Sequence, residues 1–378
     1  MNFSKNIHLG ETILKFMSNL CNSVNPLPKP EPSTQEEAPI VYYFSISVGK
    51  NPDENEDANP VCLIQVNRGL IGVFDGMGGA GSTIYRNKEG QSHTGAYFAS
   101  HIVKELIERH FKEFPSRWEN LSNTDFLDEL KQYLAQHLRK KLLEFEKNPS
   151  RIRSSLTKQL PTTLASIYFI WNSECKMDVV WAGDSRAYLL DSDGLHQVSI
   201  DDVKATSNDF SDMGQDVPLS NCVSADNDFE LRHRTITIPL PLILFVATDG
   251  CFGYVRTPAH FEYIIINTLF ESKNFQEWGE KIEKELKLIA GDDFSMSLVC
   301  LGWENFTSVK EYFQSRMIEI KKIIMPVDAI IVEIQRVNSI IKHHKVQEGI
   351  LDIQKKNVLD QFWDSYKLTY KKFLSGDQ

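Results

Sequence analysis

No stretch of this 378-residue sequence approaches the roughly 18 uninterrupted apolar residues that a membrane-spanning helix needs, so no transmembrane segment is expected. Cys-x-x-Cys pairs and Cys/His clusters are missing as well. Cys21, Cys62, Cys175, Cys222, Cys251 and Cys300 are scattered, which argues against a zinc module or a disulfide framework and for reduced, mostly buried thiols. Positive charge is in deficit. A net charge of −10 repels phosphate backbones and anionic lipid, so nucleic-acid binding is not expected. Residues 7–20 have an apolar helical face, but Glu11 and Lys15 interrupt it too early for a signal peptide, and a cytoplasmic address is expected. That segment reads either as a frayed terminal helix or as a docking element.

The aromatic content is high enough, with 22 Phe, 12 Tyr and 6 Trp, to build a large core. Pro26, Pro28, Pro30 and Pro32 mark an extended linker, so residues 1–39 read as an N-terminal helix plus a proline-rich connection. From residue 40 the texture changes to short Val-, Ile- and Phe-rich runs broken by Gly, Asp and Asn. Strands are predicted at 41–48, 61–66, 69–74, 163–171, 177–182, 187–190, 235–239, 242–247 and 295–301. Helices are predicted at 94–110, 123–145, 258–269 and 275–289. Strands and helices come in blocks rather than in regular alternation. An α+β fold of antiparallel sheets covered by helices follows for residues 40–305.

After residue 306 glycine almost disappears, and apolar residues recur every three or four positions. Phe313, Met317, Ile320, Ile324, Val327, Ile331, Ile334 and Ile341 follow a heptad seam in which Asn338 fills one core slot. This all-α extension, 306–378, carries 12 Lys and Arg against 9 Asp and Glu, whereas the rest of the chain is strongly acidic. Pro326 is expected to end one helix near Met325 and begin another, with a third after Gly349. A small bundle, folded on itself or against the preceding domain, is the favoured reading of this region, and a self-associating coil or a protein-binding element is the alternative.

Five short segments place a carboxylate beside Gly, Ser or a second acid, mostly where an apolar run ends. They are Asn55-Glu56-Asp57, Phe74-Asp75-Gly76-Met77-Gly78-Gly79, Gly183-Asp184-Ser185-Arg186, Ala247-Thr248-Asp249-Gly250 and Asp292-Asp293-Phe294-Ser295. Each alone is ordinary turn chemistry. Together at one rim, so many carboxylates repel unless cations neutralise them, and hard oxygen donors without His or Cys suit Mg2+ or Mn2+. Two such ions lower the pKa of bound water and offset charge on a phosphoryl group.

In all five segments, and in their order and spacing over residues 41 to about 302, the sequence resembles the metal-dependent protein phosphatase family, type 2C class, in a bacterial-like variant. Pro161-Thr162-Thr163 is similar to that family's Gly-Thr-Thr segment. The resemblance implies a four-layer sandwich of two antiparallel sheets flanked by helices, with a two-metal site in the cleft between sheet edges. It implies hydrolysis of phosphoserine and phosphothreonine in a phosphoprotein substrate by a metal-activated hydroxide. Asp75 would bridge two Mn2+ or Mg2+ ions. Glu56 and the Gly76 carbonyl would complete one site, and Asp249 and Asp292 the other. Asp57 would act through bound water, and Asp184 would share a possible third ion with Asp249. Arg186 reads as a structural ion-pair partner.

Three departures from the family pattern bear on substrate handling. Pro52 stands where the family has a phosphate-binding arginine, which leaves Lys50 as the nearest cation. Met77 stands where many eukaryotic members have a histidine proposed as general acid. Asp202, at the entry to a polar segment that extends to residue 228, stands where histidine is usual. The missing arginine supports the competing expectation of a pseudophosphatase or scaffold that binds partners through the C-terminal helices.

Overall fold

The computed structural model describes residues 41–50, 55–118, 124–147, 158–204, 218–226 and 228–370. The N-terminal helix and linker, Pro52 and most of the polar segment after Asp202 lie outside the described residues. The chain divides into two compact units, Met1–Ile320 and Lys321–Gln378.

In chain order the first unit contains β1 (Val41–Val48), β2 (Val61–Ile64), β3 (Arg68–Val73), β4 (Ile84–Arg86) and β5 (Ser92–Thr94). Helices α1 (Gly95–Glu113), α2 (Pro115–Trp118) and α3 (Thr124–Glu144) follow, then β6 (Glu146–Lys147), β7 (Leu164–Trp171), β8 (Glu174–Ala182), β9 (Arg186–Asp191) and β10 (Gly194–Gln197). After these come β11 (Arg232–Pro239), β12 (Leu242–Ala247), α4 (Asp249–Phe252), α5 (Pro258–Glu271), α6 (Phe275–Ile289), β13 (Phe294–Leu301) and α7 (Phe306–Tyr312). A long helix, α8 (Gln314–Tyr370), starts here and runs through the second unit.

Two five-stranded antiparallel sheets carry the fold, ordered β1-β13-β12-β9-β10 and β11-β8-β7-β3-β2. Their alternation explains the sequence. On β12, Leu242, Leu244 and Val246 face the opposing sheet, while Ile243, Phe245 and Ala247 join the core formed with α5 and α6. Both faces are buried, which is why this strand reads as one apolar run. On β7, Ala165, Ile167, Phe169 and Trp171 enter the layer between the sheets, and Leu164 and Tyr168 meet α1 and α3. The order helix, sheet, sheet, helix is the expected four-layer sandwich. Each fully buried large apolar side chain in it, such as Trp278 or Phe245, contributes about 1.5–3 kcal/mol.

Sequence patterning located the long strands and helices but missed β4, β5, β6 and β10. These are only two to four residues long, too short to show a period. The tail departs further from expectation. α8 continues past both Pro326 and Gly349 as one helix, so the predicted helix end near Met325 and the bundle folded on itself are not what forms. Proline removes one amide donor from the ladder and glycine costs about 1 kcal/mol. Neither outweighs propagation through the helix-forming residues on both sides. Phe313, Met317 and Ile320, the first part of the seam, belong to the core of the first unit. Among the described residues no helix is long and apolar enough to cross a membrane.

Candidate metal and phosphate site

Strand pairing brings the carboxylate segments to one edge of the sandwich. Val73 pairs with Ala165 and Leu164 with Ala182, so the end of β3, the start of β7 and the end of β8 converge. In the other sheet Ala247 pairs with Met296 and Val48 with Phe294, which sets the end of β12 and the end of β1 beside the start of β13. Asp75, Asp184, Asp249 and the Asp292-Asp293 turn sit just beyond these ends. Nothing local in the sequence dictates this meeting; antiparallel register does.

Threonines fix the backbone beneath the carboxylates. The Thr162 hydroxyl donates to the Asp75 carbonyl at 2.6 Å, and the Asp75 amide donates to Thr163 Oγ1 at 3.1 Å. Thr163 Oγ1 also meets Ser185 Oγ at 2.6 Å, tying the Asp75 turn to the one that carries Asp184. Gly183 is required there. Its φ is +106°, and a Cβ would come within 2.8 Å of the Thr163 methyl. In the second sheet Thr248 Oγ1 donates to Asp57 Oδ2 at 2.9 Å and accepts from the Ser295 amide at 2.8 Å.

Glu56 is positioned from α1. Thr94, the helix N-cap, accepts from the Tyr97 amide and donates to Glu56 Oε1 at 2.5 Å, while Ser100 donates to the Glu56 carbonyl at 2.6 Å. Gly76 packs against this segment so closely that a Cβ would lie 2.5 Å from the Glu56 carbonyl oxygen. From the β13 turn, Asp293 accepts from the amides of Lys50 at 2.7 Å and Glu56 at 2.6 Å, bracing the loop that follows β1. The Lys50 residue is exposed.

The electrostatics are those of crowded like charges. Burial, then the neighbouring Asp249 and Asp293, pushes the Asp57 carboxyl up to about 8 against the pull of its hydrogen bond from Thr248. Asp75 lies well above the usual carboxylate range through burial and the charges of Asp57, Asp249 and Asp184. Burial and Asp249 likewise raise Asp184 to about 8. The Asp57 and Asp75 carboxyls are within hydrogen-bonding reach of each other, and Asp57 Oδ1 finds no donor among the described residues.

Of the residues read from the sequence, Asp57, Asp75, Asp184 and Asp249 therefore share one field, and Glu56 and Gly76 adjoin it. Asp292 is exposed, and the acid of its turn that acts on Asp57 is Asp293. Among the described residues no three His, Cys, Asp or Glu side chains close around a single point suited to an ion. The donors of the cluster nevertheless fit hard divalent cations: all are oxygens, one buried oxygen lacks a partner, and mutual repulsion calls for positive charge.

Arg186 plays the structural part expected of it. Its guanidinium forks onto Asp201, with Nε 3.0 Å from Oδ1 and an Nη 2.6 Å from Oδ2, and stacks 4.1 Å from the Phe252 ring. Asp202 holds the Gly183 amide at 3.2 Å and Asn221 Nδ2 at 2.6 Å. That aspartate steadies the Asp184 turn. The sequence reading did not single out Thr94, Ser100, Thr248 and Asp293 as positioning groups. Only Thr94 left a signal, as a cap residue opening a helical pattern.

The sequence model described as protein phosphatase 2C matches residues 51–287, and the chain belongs to that family. Solved structures similar to it include the serine/threonine phosphatase Stp1 from Staphylococcus aureus, at 15% identity and a TM-score of 0.47, with 74% of this chain and 100% of that chain covered. PppA of Pseudomonas aeruginosa is 20% identical with a TM-score of 0.46, covering 69% and 98%. The Mycobacterium tuberculosis serine/threonine phosphatase PstP/Ppp is 16% identical with a TM-score of 0.45, covering 70% and 99%. No curated protein sequence matches the chain.

Proposed function

We propose that this protein phosphatase 2C family member hydrolyses phosphoserine and phosphothreonine in proteins with the help of two divalent cations, Mn2+ or Mg2+. The observation that carries the reading is the cluster of Asp57, Asp75, Asp184 and Asp249, in which burial and then the neighbouring negative charges raise the proton affinity of Asp57, Asp75 and Asp184. Such a group is unfavourable by itself and favourable around cations. Asp75 would hold both ions, with Glu56 and the Gly76 carbonyl on one side and Asp249 and Asp292 on the other; Asp57 and Asp184 would contribute further oxygens. When bound, the ions supply a water of lowered pKa and offset the charge of the phosphoryl group.

The chain's own groups do the positioning. Thr162 and Thr163 hold the Asp75 backbone in place, and Thr248 orients Asp57. Asp293 fixes the backbone of Lys50, whose ammonium is the proposed contact for the substrate phosphate. Met77 offers no proton, so no side chain at that position protonates the leaving group.

Hydrolysis of p-nitrophenyl phosphate and of a phosphothreonine peptide with Mn2+, with and without EDTA, tests this. Asp75→Asn and Asp249→Asn are each expected to lose activity by on the order of 100-fold or more. Equal rates in parent and variants would remove the enzymatic reading and leave that of a partner-binding pseudophosphatase.

A further inference from the structure

The long helix α8 carries its heptad seam beyond the apolar stretch noted in the sequence. Spaced three and four residues apart after Ile341, the seam positions are Lys345, Glu348, Asp352 and Lys355, and then Leu359, Phe362 and Tyr366. A polar centre is thus flanked by two apolar ends. Val327, Ile334, Ile341, Leu359, Phe362 and Tyr366 are all exposed. An uncovered row of this length calls for a partner with the same layout.

We propose that residues 327–366 pair with the same helix of a second copy, antiparallel and centred between Val346 and Gln347. In that register the apolar ends meet: Val327 faces Tyr366, Ile331 faces Phe362 and Ile334 faces Leu359 of the other copy. At the centre Lys345 faces Glu348 twice, by symmetry. Asn338 faces Lys355, and Ile341 against Asp352, likewise met twice, is the one mismatched pairing. Alongside the seam, Val337 comes beside Val358, both exposed in the single chain.

Charge decides against the parallel arrangement. In register, two parallel copies would set Lys345, Glu348, Asp352 and Lys355 each against its own like, four repulsive layers in succession. The apolar layers would match in that arrangement too, and the Asn338 pair would fix its register at a cost in stability, but neither removes the four like-charge layers at the centre. The helix does not fold back on itself, because it runs unbroken through both Pro326 and Gly349. The proposal rests on the helix alone and stands whether or not the catalytic reading holds.

Sedimentation velocity of the full chain at low ionic strength tests it, using Lys345→Glu, Glu348→Lys and the double exchange. All these positions are solvent-exposed, so folding is not at issue, and circular dichroism verifies it. The parent protein is expected to be a dimer. Each single reversal turns both symmetric pairs repulsive and is expected to weaken the dimer by roughly tenfold. The double exchange restores opposite charges across the antiparallel pair and is expected to recover parental affinity. In a parallel dimer it restores nothing, because like still faces like. A parent that stays monomeric at its highest soluble concentration, single reversals without effect, or a double exchange that fails to recover would each overturn the proposal.

Discussion

Replacing Asp57 by asparagine should make the metal-free protein more stable while weakening its response to metal. The Asp57 carboxyl ionises at its ordinary value of 3.8 when the chain is unfolded and at about 8 in the fold. The folded state therefore holds a proton that the unfolded state releases, so the contribution is complete below pH 4 and is lost as pH rises through 8. Each pKa unit corresponds to about 1.4 kcal/mol. Asp57 shares its protons with Asp75, so one substitution recovers only part of the total, about 2–3 kcal/mol at pH 8. In a domain of this size that is a rise in Tm of about 5 °C. Thermal unfolding in EDTA between pH 5 and pH 8 should show the parent losing stability with pH more steeply than Asp57→Asn. Adding Mn2+ at pH 8 should close most of the gap between them, since a ligand at about 100 times its Kd adds about 2.7 kcal/mol to the protein that binds it. A flat parental profile, or a variant that melts below the parent in EDTA, would refute the reasoning.

Thr94 links the start of α1 to Glu56, so Thr94→Ala should cost about 1 kcal/mol from the lost cap and also weaken the Mn2+-induced rise in Tm. Thr94→Ser keeps both hydrogen bonds and should restore both readouts. With methionine at position 77, kcat against pH should lack a limb near the ordinary histidine value of about 6.5. A clear limb there would point to another residue as proton donor.

The strands and helices of the sandwich were legible because their burial imposes a period. The run 242–247 is apolar throughout since both of its faces meet cores, and α6 shows its buried face through Phe275, Trp278, Ile282 and Leu286. The helix stop expected at Pro326 does not form because the residues on both sides of it favour continuation of the helix. Among site residues, Asp57, Asp75, Asp184 and Asp249 could be named from their strand-end contexts. Their environments could not. Thr248 and Asp293 have ordinary turn sequences, and what they hold lies 191 and 237 residues away along the chain.

The sequence by itself determined which residues are carboxylates at strand ends, which runs must be buried, and that the tail is a helix with a seam. Those properties are local, fixed by side-chain chemistry and by spacings of two or of three to four residues. Only the tertiary structure decided that β3 and β8 end, and β7 begins, beside the turns of β12 and β13. It also decided that Asp293 rather than Asp292 acts on Asp57, and that α8 stays in one piece. Each depends on register and packing between segments far apart in sequence, where like charges are forced together because the backbone beneath them is held by hydrogen bonds they do not make.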